Sequence, residues 1–139
     1  MTAVPDESSF RAGFRVQPAD DWLVVRTSHA NMLVSGPREA TRAFMAAVTP
    51  HLHEPVCEGS TCDALPTAPP AGTLVLRDVD ELDCEQQQRL LRWLDEPQND
   101  HMQVISLTAR RLYELVQAGT FLEQLYYRLN VTQFEVSAD

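Results

Sequence analysis

The sequence predicts an α/β fold in which a doubly wound parallel sheet is covered by helices on both faces. Three short, largely apolar runs occupy residues 32–34, 73–76 and 104–107, and none of them alternates strictly between polar and apolar residues. Such runs are typical of strands buried on both faces, as the strands of parallel sheets are. A stretch of helical period follows each run, and this order of strands and helices indicates the α/β class.

The first strand leads into a helix through a short turn. Ser35, Gly36 and Pro37 stop the apolar run, because glycine and proline interrupt regular structure. Residues 38–48 then adopt a helical period, and Pro50 ends it. The predicted buried face of this helix consists of Ala40, Ala43, Phe44, Ala47 and Val48.

Three more helices are predicted after the second and third strands. Asp83 and Gln86 have the spacing of a capping box and open a helix that ends at Pro97. A short helical face follows at residues 112–116, with Gly119 just beyond its end. Thr120 opens the last helix, again with capping-box spacing. We expect the core to include Leu90, Leu94, Leu107 and Leu125.

The remaining segments carry weaker patterns. Residues 54–57 and 131–136 are predicted as further strands. Residues 22–25 form an apolar run whose secondary structure the pattern does not assign. Residues 59–72 contain two glycines and three prolines and are predicted as a loop. A length of 139 residues predicts one domain at 10–139, after a flexible N-terminus at 1–9.

Composition limits the classes of function. The net charge of −9 disfavours direct DNA binding by this chain, because contacts to phosphate need cationic side chains. No apolar run is long enough to span a membrane, and no signal peptide is recognisable. Three cysteines make a poor disulfide framework, so we expect a cytoplasmic protein with reduced thiols. All 11 basic residues are arginine, and the chain contains no lysine.

Several spaced motifs carry a resemblance to a known family. They read GTLVLRDVDEL, EQQQRLLRWLDE and QVISLTARRLYELVQAGTFLEQLYYRLNV, and they cover about residues 72–136 in the correct order. This part resembles the AAA+ ATPase module of the sigma-54-dependent transcription activators. The first half is similar only through MLVSGPREATRAF, at the place of the phosphate loop and its helix. The resemblance implies a P-loop NTPase-like sheet of about five parallel strands, and the AAA+ lid is missing from this chain.

The chain departs from the family at the phosphate loop. That loop surrounds phosphates with backbone N–H groups and uses a lysine to reach the outer ones. Here Gly36 is followed by Pro37, which has no N–H to donate. Arg38 could meet a phosphate, although its fork fits a tight loop poorly. Two interpretations stay open for these residues: a plain strand-to-helix turn, or a weak anion site at a helix N-terminus.

A second departure lies at the end of the 73–76 strand. Arg77 occupies the place of the family's magnesium-linked aspartate, and Asp78 occupies the place of its catalytic glutamate. A cation at this place repels magnesium. We consider that Arg77 pairs with Asp78 or Asp80, or fills the space of the metal. The acidic residues from Asp78 to Glu85 could instead form a metal site, but a solvated loop with a helix cap is the simpler interpretation.

Further positions affect the family's other functional groups. In the family, two arginines act on the ATP of a neighbouring subunit, and Leu122 replaces one of them. Arg128 retains the other, either as a surface or interface residue or as an arginine that acts on a neighbour's ATP. Thr108 is similar to the family's polar sensor, and a helix N-cap is its simpler role. Residues 58–71 are too few for the GAFTGA loop that touches the sigma factor. No DNA-binding helix-turn-helix is present in the sequence.

One cluster of soft ligands suggests a third class of protein. His51, His53, Cys57 and Cys62 lie within a dozen residues and could hold zinc, although their spacing fits no standard pattern. Tyr126 and Tyr127 could mark a protein contact, with core packing the simpler role for one of them.

The leading hypothesis is therefore a degenerate sigma-54-activator-type domain, a bacterial transcription-regulatory module that contacts a protein partner and has no cofactor. The first alternative is a divergent ATPase with ATP and magnesium, working through Arg38, Asp78 and Arg128. The second is a zinc-stabilised interaction domain. The vestigial nucleotide-binding set would be Gly36, Arg38, Arg77, Asp78, Thr108 and Arg128. We expect a monomer or small dimer, because the lid and the nucleotide that stabilise AAA+ rings are missing and the charge of −9 opposes self-association.

Overall fold

The structure is a computed structural model that describes residues 14–17, 30–59, 65, 72–99 and 102–138. Its strands are β1 (Phe14–Gln17), β2 (Met32–Ser35), β3 (Val56–Gly59), β4 (Gly72–Leu76), β5 (Met102–Thr108) and β6 (Thr132–Ala138). Its α-helices are α1 (Arg38–Val48), α2 (Cys84–Asp95), α3 (Leu112–Gln117) and α4 (Glu123–Leu129). Among the helices so described, none is long and apolar enough to cross a membrane.

The six strands form one sheet in the order β1-β6-β2-β5-β4-β3. Five of them, from β6 to β3, run parallel to one another, which confirms the predicted doubly wound sheet. The sixth, β1, pairs antiparallel with β6 and was missed, because its four residues carry no apolar run. The apolar run at residues 22–25 lies outside the described residues, as do the flexible segment 1–9 and most of the predicted loop 59–72.

Both faces of the sheet are buried, as the apolar strands predict. Met32 and Val34 of β2 face α1, whereas Leu33 between them faces the layer that contains α2 and α4. On the α1 side, Phe44 packs against Phe134 of β6, with ring centroids 6.1 Å apart. On the other side, the core contains Leu74, Leu90, Leu94, Val104, Leu125 and Leu129. All four leucines expected in the core are buried.

Most helix boundaries follow the predicted signals. Helix α1 occupies residues 38–48 as expected, and Asp83 and Gln86 form a complete capping box at the start of α2. Beyond α3, Gly119 has a φ of 83°, and its N–H donates to the carbonyl of Val116. A left-handed glycine with this bond is the usual end of a helix.

The capping box predicted at Thr120 is wrong. Helix α4 begins at Glu123, after Leu122, and no side chain within its own turn caps it. The Thr120 hydroxyl donates instead to the carbonyl of Leu115, 3.3 Å away. The amide of Gln87, on α2, takes over the capping role. Its Oε1 accepts from the Leu122 N–H at 2.8 Å, so a distant helix satisfies the donor that a local cap would have satisfied.

Gln87 is expected to be a strong point of stability. Its Nε2 also donates to the carbonyls of Leu82 and Thr120, and the side chain is buried. Replacing Gln87 with alanine leaves these groups unpaired, and we expect the free energy of unfolding to fall by about 1–3 kcal/mol. Gln88→Ala, at the exposed neighbour, should change it by less than about 0.5 kcal/mol. Equal effects in urea unfolding would contradict this role.

Candidate functional site

The strand order places a crevice at the carboxyl ends of β2 and β5. The connection from β2 runs past β5 and β4 to β3, whereas the connection from β5 runs the other way, past β2 to β6. Ligands of open α/β sheets bind outside the strands at such a reversal. The predicted residues Gly36, Arg77, Asp78 and Thr108 all lie at the end of a strand on this edge.

Only Gly36 and Pro37 separate β2 from α1. Gly36 donates its N–H to the carbonyl of Thr108, 3.0 Å away, at the end of β5. A Cβ at this position would lie 2.1 Å from the carbonyl oxygen of Val136, so the turn is packed closely against β6. Pro37 occupies the N-cap position of α1 without a capping side chain. The structure therefore describes a tight strand-to-helix turn.

Arg38, in the first turn of α1, joins this turn to the segment after β4. Its Nε lies 3.3 Å from Oδ1 of Asp78, and its Nη2 donates to Oε2 of Glu81 at 3.1 Å. Asp78 has φ 59° and ψ 44°, in the left-handed region, where aspartate is tolerated better than most residues. These ion pairs are largely exposed, so they orient the groups more than they stabilise the fold.

Of the two interpretations of Arg77, its pairing with Asp78 or Asp80 is wrong. Both carboxylates form ion pairs with other arginines instead. Arg38 pairs with Asp78, and Nε of Arg110 lies 3.0 Å from Oδ2 of Asp80. The Arg77 N–H donates to the carbonyl of Gly59, which fixes its backbone beside β3. Its side chain is exposed, and no carboxylate partner for it exists among the residues that the structure describes.

Asp80 is the one buried carboxylate described near this edge. Nη2 of Arg110 also donates to its backbone carbonyl at 2.8 Å, so a single guanidinium makes two contacts to this residue. The other carboxylate oxygen, Oδ1, is buried and has no partner within the described part of the chain. This arrangement ties the turn after β4 to the turn after β5.

Thr108 does not cap a helix, contrary to the simpler expectation. Helix α3 begins at Leu112, and its N-cap residue is Arg111. The Thr108 hydroxyl donates to the carbonyl of Arg110 at 2.7 Å and accepts from the Arg110 N–H at 3.2 Å. Since three residues lie between β5 and α3, the hydroxyl closes the intervening turn instead.

Arg128 lies apart from the other predicted site residues. Its Nη2 donates to the carbonyl of Leu94 at 2.6 Å, and its Nη1 pairs with Asp95, at the C-terminal end of α2. A cation is favourable there, because the last carbonyls of a helix carry partial negative charge. Arg128 is 41% exposed, so it is a surface residue with an intramolecular partner.

A cavity of about 550 Å³ opens beside α1 at the same edge. It brings together the predicted residues Arg38, Arg77, Asp78 and Thr108, whereas Gly36 and Arg128 are not among its lining residues. Sequence reasoning missed Arg42, which α1 also directs to this cavity. Its position one helical turn after Arg38 is the signal that could have found it, because residues four apart share a helix face.

Neither the acidic metal site nor the zinc site considered from the sequence is supported by a cluster of ligands among the described residues. Within the described residues, no group of three or more His, Cys, Asp or Glu side chains is arranged to hold a metal ion. This statement includes His51, His53 and Cys57, whereas Cys62 lies outside those residues.

The tyrosine pair divides as expected between core and surface. Tyr126 is buried and its hydroxyl accepts from Nδ2 of Asn130 at 3.0 Å, while Tyr127 is 57% exposed. Burial raises the pKa of Tyr126, and the bond from Asn130 opposes that rise. Tyr113 is also exposed, and its ring lies 5.6 Å from that of Tyr126.

This sheet order and its edge crevice define the class as a P-loop NTPase fold, and solved structures agree. NtrX from Brucella abortus in complex with ADP superposes with a TM-score of 0.63 at 21% identity, over 84% of this chain and 34% of NtrX. The P-loop NTPase domain of the sigma-54 transport activator from E. coli gives a TM-score of 0.61 at 20% identity, over 86% of this chain and 91% of that domain.

The chain belongs to the sigma-54 interaction domain family, whose family model matches residues 24–138. The nitrogen fixation protein VnfA of Azotobacter vinelandii is 41% identical over 70 residues, covering 43% of this chain and 13% of VnfA. The HTH-type transcriptional regulatory protein TyrR of Salmonella typhimurium is 40% identical over 70 residues, covering 43% of this chain and 14% of TyrR. The matches thus span about one seventh of the length of these relatives.

Proposed function

We propose that this chain is a degenerate sigma-54 interaction domain that regulates transcription through protein contact and does not hydrolyse ATP. The observation that carries the proposal is the arrangement at the end of β4. Arg77 places a cation where the family resemblance places a magnesium-linked carboxylate. Asp78, the remaining carboxylate at that end, forms an ion pair with Arg38. The family membership supports a transcription-regulatory role.

The residues at this edge do not fit ATP with magnesium. Magnesium is bound through carboxylates and phosphate oxygens, and Arg77 offers neither. In the turn before α1, where the phosphate loop would surround a phosphate, Gly36 donates its N–H to the carbonyl of Thr108 and Pro37 has no N–H. No lysine exists in the chain to reach the outer phosphates.

The alternative of a divergent ATPase would need Arg38, Asp78 and Arg128 to be available. Each of the three has an intramolecular partner: Arg38 and Asp78 pair with each other, and Arg128 pairs with Asp95. Hydrolysis would require these pairs to break, with no described group positioned to replace them. The contacts therefore favour the non-hydrolysing proposal.

The proposed partner is a protein of the transcription machinery or a related regulator. Tyr113, Tyr127 and Val131 are the large hydrophobic residues exposed in the described part of the chain. Tyrosine is enriched at protein interfaces and suits a surface that is wet until a partner arrives. The net charge of −9 favours a protein partner over DNA. A cytoplasmic location is consistent with this role.

Phosphate release tests the proposal. The purified protein with ATP and magnesium is expected to release no phosphate above a buffer blank, because Asp78 is paired with Arg38 and Arg77 repels the metal ion. The E. coli sigma-54 activator domain serves as a positive control for the assay. A steady release that disappears in Asp78→Ala would show that the carboxylate still works, and the proposal would be wrong.

Assembly provides a further prediction. We expect sedimentation velocity at micromolar concentration to show a monomer or small dimer, with or without ATP. A chain that binds no nucleotide lacks the contact that nucleotide would make at a subunit boundary of a ring. The net charge of −9 also opposes self-association. A hexamer or heptamer would contradict this expectation and would return Arg128 to consideration as a residue that acts on a neighbouring subunit.

A further inference from the structure

We propose that the cavity beside α1 binds a small organic dianion without a metal ion, and that Arg42 and Arg77 are its cationic contacts. The ligand class is a phosphate ester or a dicarboxylate, which share the paired oxygens that a guanidinium recognises. This inference goes beyond the proposed function, because contact with a protein partner requires no small ligand.

The cavity follows the side of α1 and does not centre on the helix N-terminus. Its lining includes Ala46 and Thr49, in and just after the last turn of α1, and Glu58 on β3. Gly36, at the start of the helix, lines a separate and smaller cavity of about 160 Å³. The proposed ligand thus lies between α1 and the ends of β3, β4 and β5.

The charges in the cavity leave two arginines available. Arg38 is engaged by Asp78 and Glu81, whereas neither Arg42 nor Arg77 has a carboxylate partner among the described residues. The opposing charge that remains is Glu58, which is exposed on β3. Two cations against one carboxylate favour an anionic ligand over a neutral or cationic one.

The hydroxyl groups of the cavity also favour an anionic ligand over a neutral one. Thr41, Thr49 and Thr108 all line it, but each hydroxyl already donates to a backbone carbonyl, of Arg38, Met45 and Arg110 respectively. The guanidinium groups are therefore the side-chain donors that remain free. A sugar or polyol would find too few donors here, whereas an anion would use the strong charged ones.

The walls and the volume suit an organic anion. Met45, Ala46 and Leu107 supply apolar surface, and about 550 Å³ lies within the range of small-molecule sites. Arginine binds phosphate and carboxylate groups through two parallel N–H bonds. Arg77 thus supplies the positive charge that a metal ion would otherwise supply, and binding should not need magnesium.

Isothermal titration of the purified protein in EDTA tests this site with two probes, glycerol 3-phosphate and succinate. We expect one or both to bind, and which of them binds more tightly identifies the phosphate or the carboxylate class. Arg42→Gln and Arg77→Gln should each weaken binding about 10-fold or more, the value of a charge-assisted hydrogen bond. Arg92→Gln, an exposed arginine on α2, is the matched control and should leave binding unchanged.

Magnesium separates this site from a nucleotide site of the family's kind. Added magnesium should not strengthen the binding of glycerol 3-phosphate, because the ion competes with the arginines for the same oxygens. Circular dichroism verifies the fold of each variant, and Arg77→Lys, which keeps the charge, should retain part of the affinity. Failure of both probes to bind at millimolar concentration, equal losses in the control, or binding that requires magnesium would overturn the inference. Phosphate release is measured separately, so failure here leaves the proposed function standing.

Discussion

Replacing Phe44 with alanine is expected to lower the free energy of unfolding by about 3–5 kcal/mol. Phe44 is fully buried on α1 and packs against Phe134 of β6 at a centroid distance of 6.1 Å. The substitution removes apolar surface from the core and leaves a cavity that the surrounding strands can fill only in part. It also removes an aromatic pair, which adds about 0.5–1.5 kcal/mol beyond the buried area. Urea unfolding followed by circular dichroism measures the change.

Tyr127→Ala is the control for Phe44→Ala. Tyr127 is exposed and contacts the ring of Tyr126 at 5.2 Å, so its removal should cost no more than about 1.5 kcal/mol, the upper value of an aromatic pair. If Phe44→Ala were as mild as this control, α1 would not cover the sheet as the structure describes. The site beside α1 would then lose its wall.

Replacing Leu90 with alanine tests the opposite face of the sheet. Leu90 lies on α2, is fully buried, and belongs to the cluster that contains Leu74, Leu125 and Leu129. We expect the free energy of unfolding to fall by about 2–5 kcal/mol, because the lost leucine leaves a cavity between α2, α4 and β4. The same urea titration measures it.

Gln88→Ala, two residues earlier and exposed, is the control for Leu90→Ala. Its effect should stay within about 0.5 kcal/mol, as for most surface substitutions. A near-neutral Leu90→Ala would mean that the helical period of α2 was assigned to the wrong face. Large effects from both Phe44→Ala and Leu90→Ala would support two buried faces, the defining feature of a doubly wound sheet.

The sequence predicted the parallel sheet because its strands are buried on both faces, and burial of that kind leaves continuous apolar runs. Residues 32–34, 73–76 and 104–107 all became strands for this reason. The edge strand β1 carried no such signal. It pairs antiparallel with β6 at the edge of the sheet, and its sequence contains no continuous apolar run that could have revealed it.

Local signals failed where a distant group took over. The spacing of Thr120 and Glu123 fits a capping box, but Gln87 from α2 satisfies the start of α4. The same reason explains Arg77, whose expected partners Asp78 and Asp80 were taken by Arg38 and Arg110 from other elements. Contacts between residues 30 or more positions apart depend on tertiary packing, which a sequence pattern does not contain.

The residues at the strand ends could be placed from the sequence, because their positions follow from the topology of the sheet. Once the strands were predicted to run parallel, their carboxyl ends, with Gly36, Arg77 and Thr108, were expected at one edge of the sheet, where the structure places them. Arg128 was grouped with them only through the family resemblance. The structure places it instead at the end of α2, where the carbonyl of Leu94 and the carboxylate of Asp95 hold it.

The central claim is that this chain has lost the magnesium–nucleotide site of its family. A titration with ATP, in EDTA and again in excess magnesium, tests it most directly when thermal unfolding is followed at each point. The account predicts that magnesium does not strengthen ATP binding and that ATP with magnesium leaves the melting temperature unchanged. ATP affinity that depends on magnesium, with a rise of several degrees in melting temperature, would contradict it, since a ligand that binds only the folded state must stabilise that state.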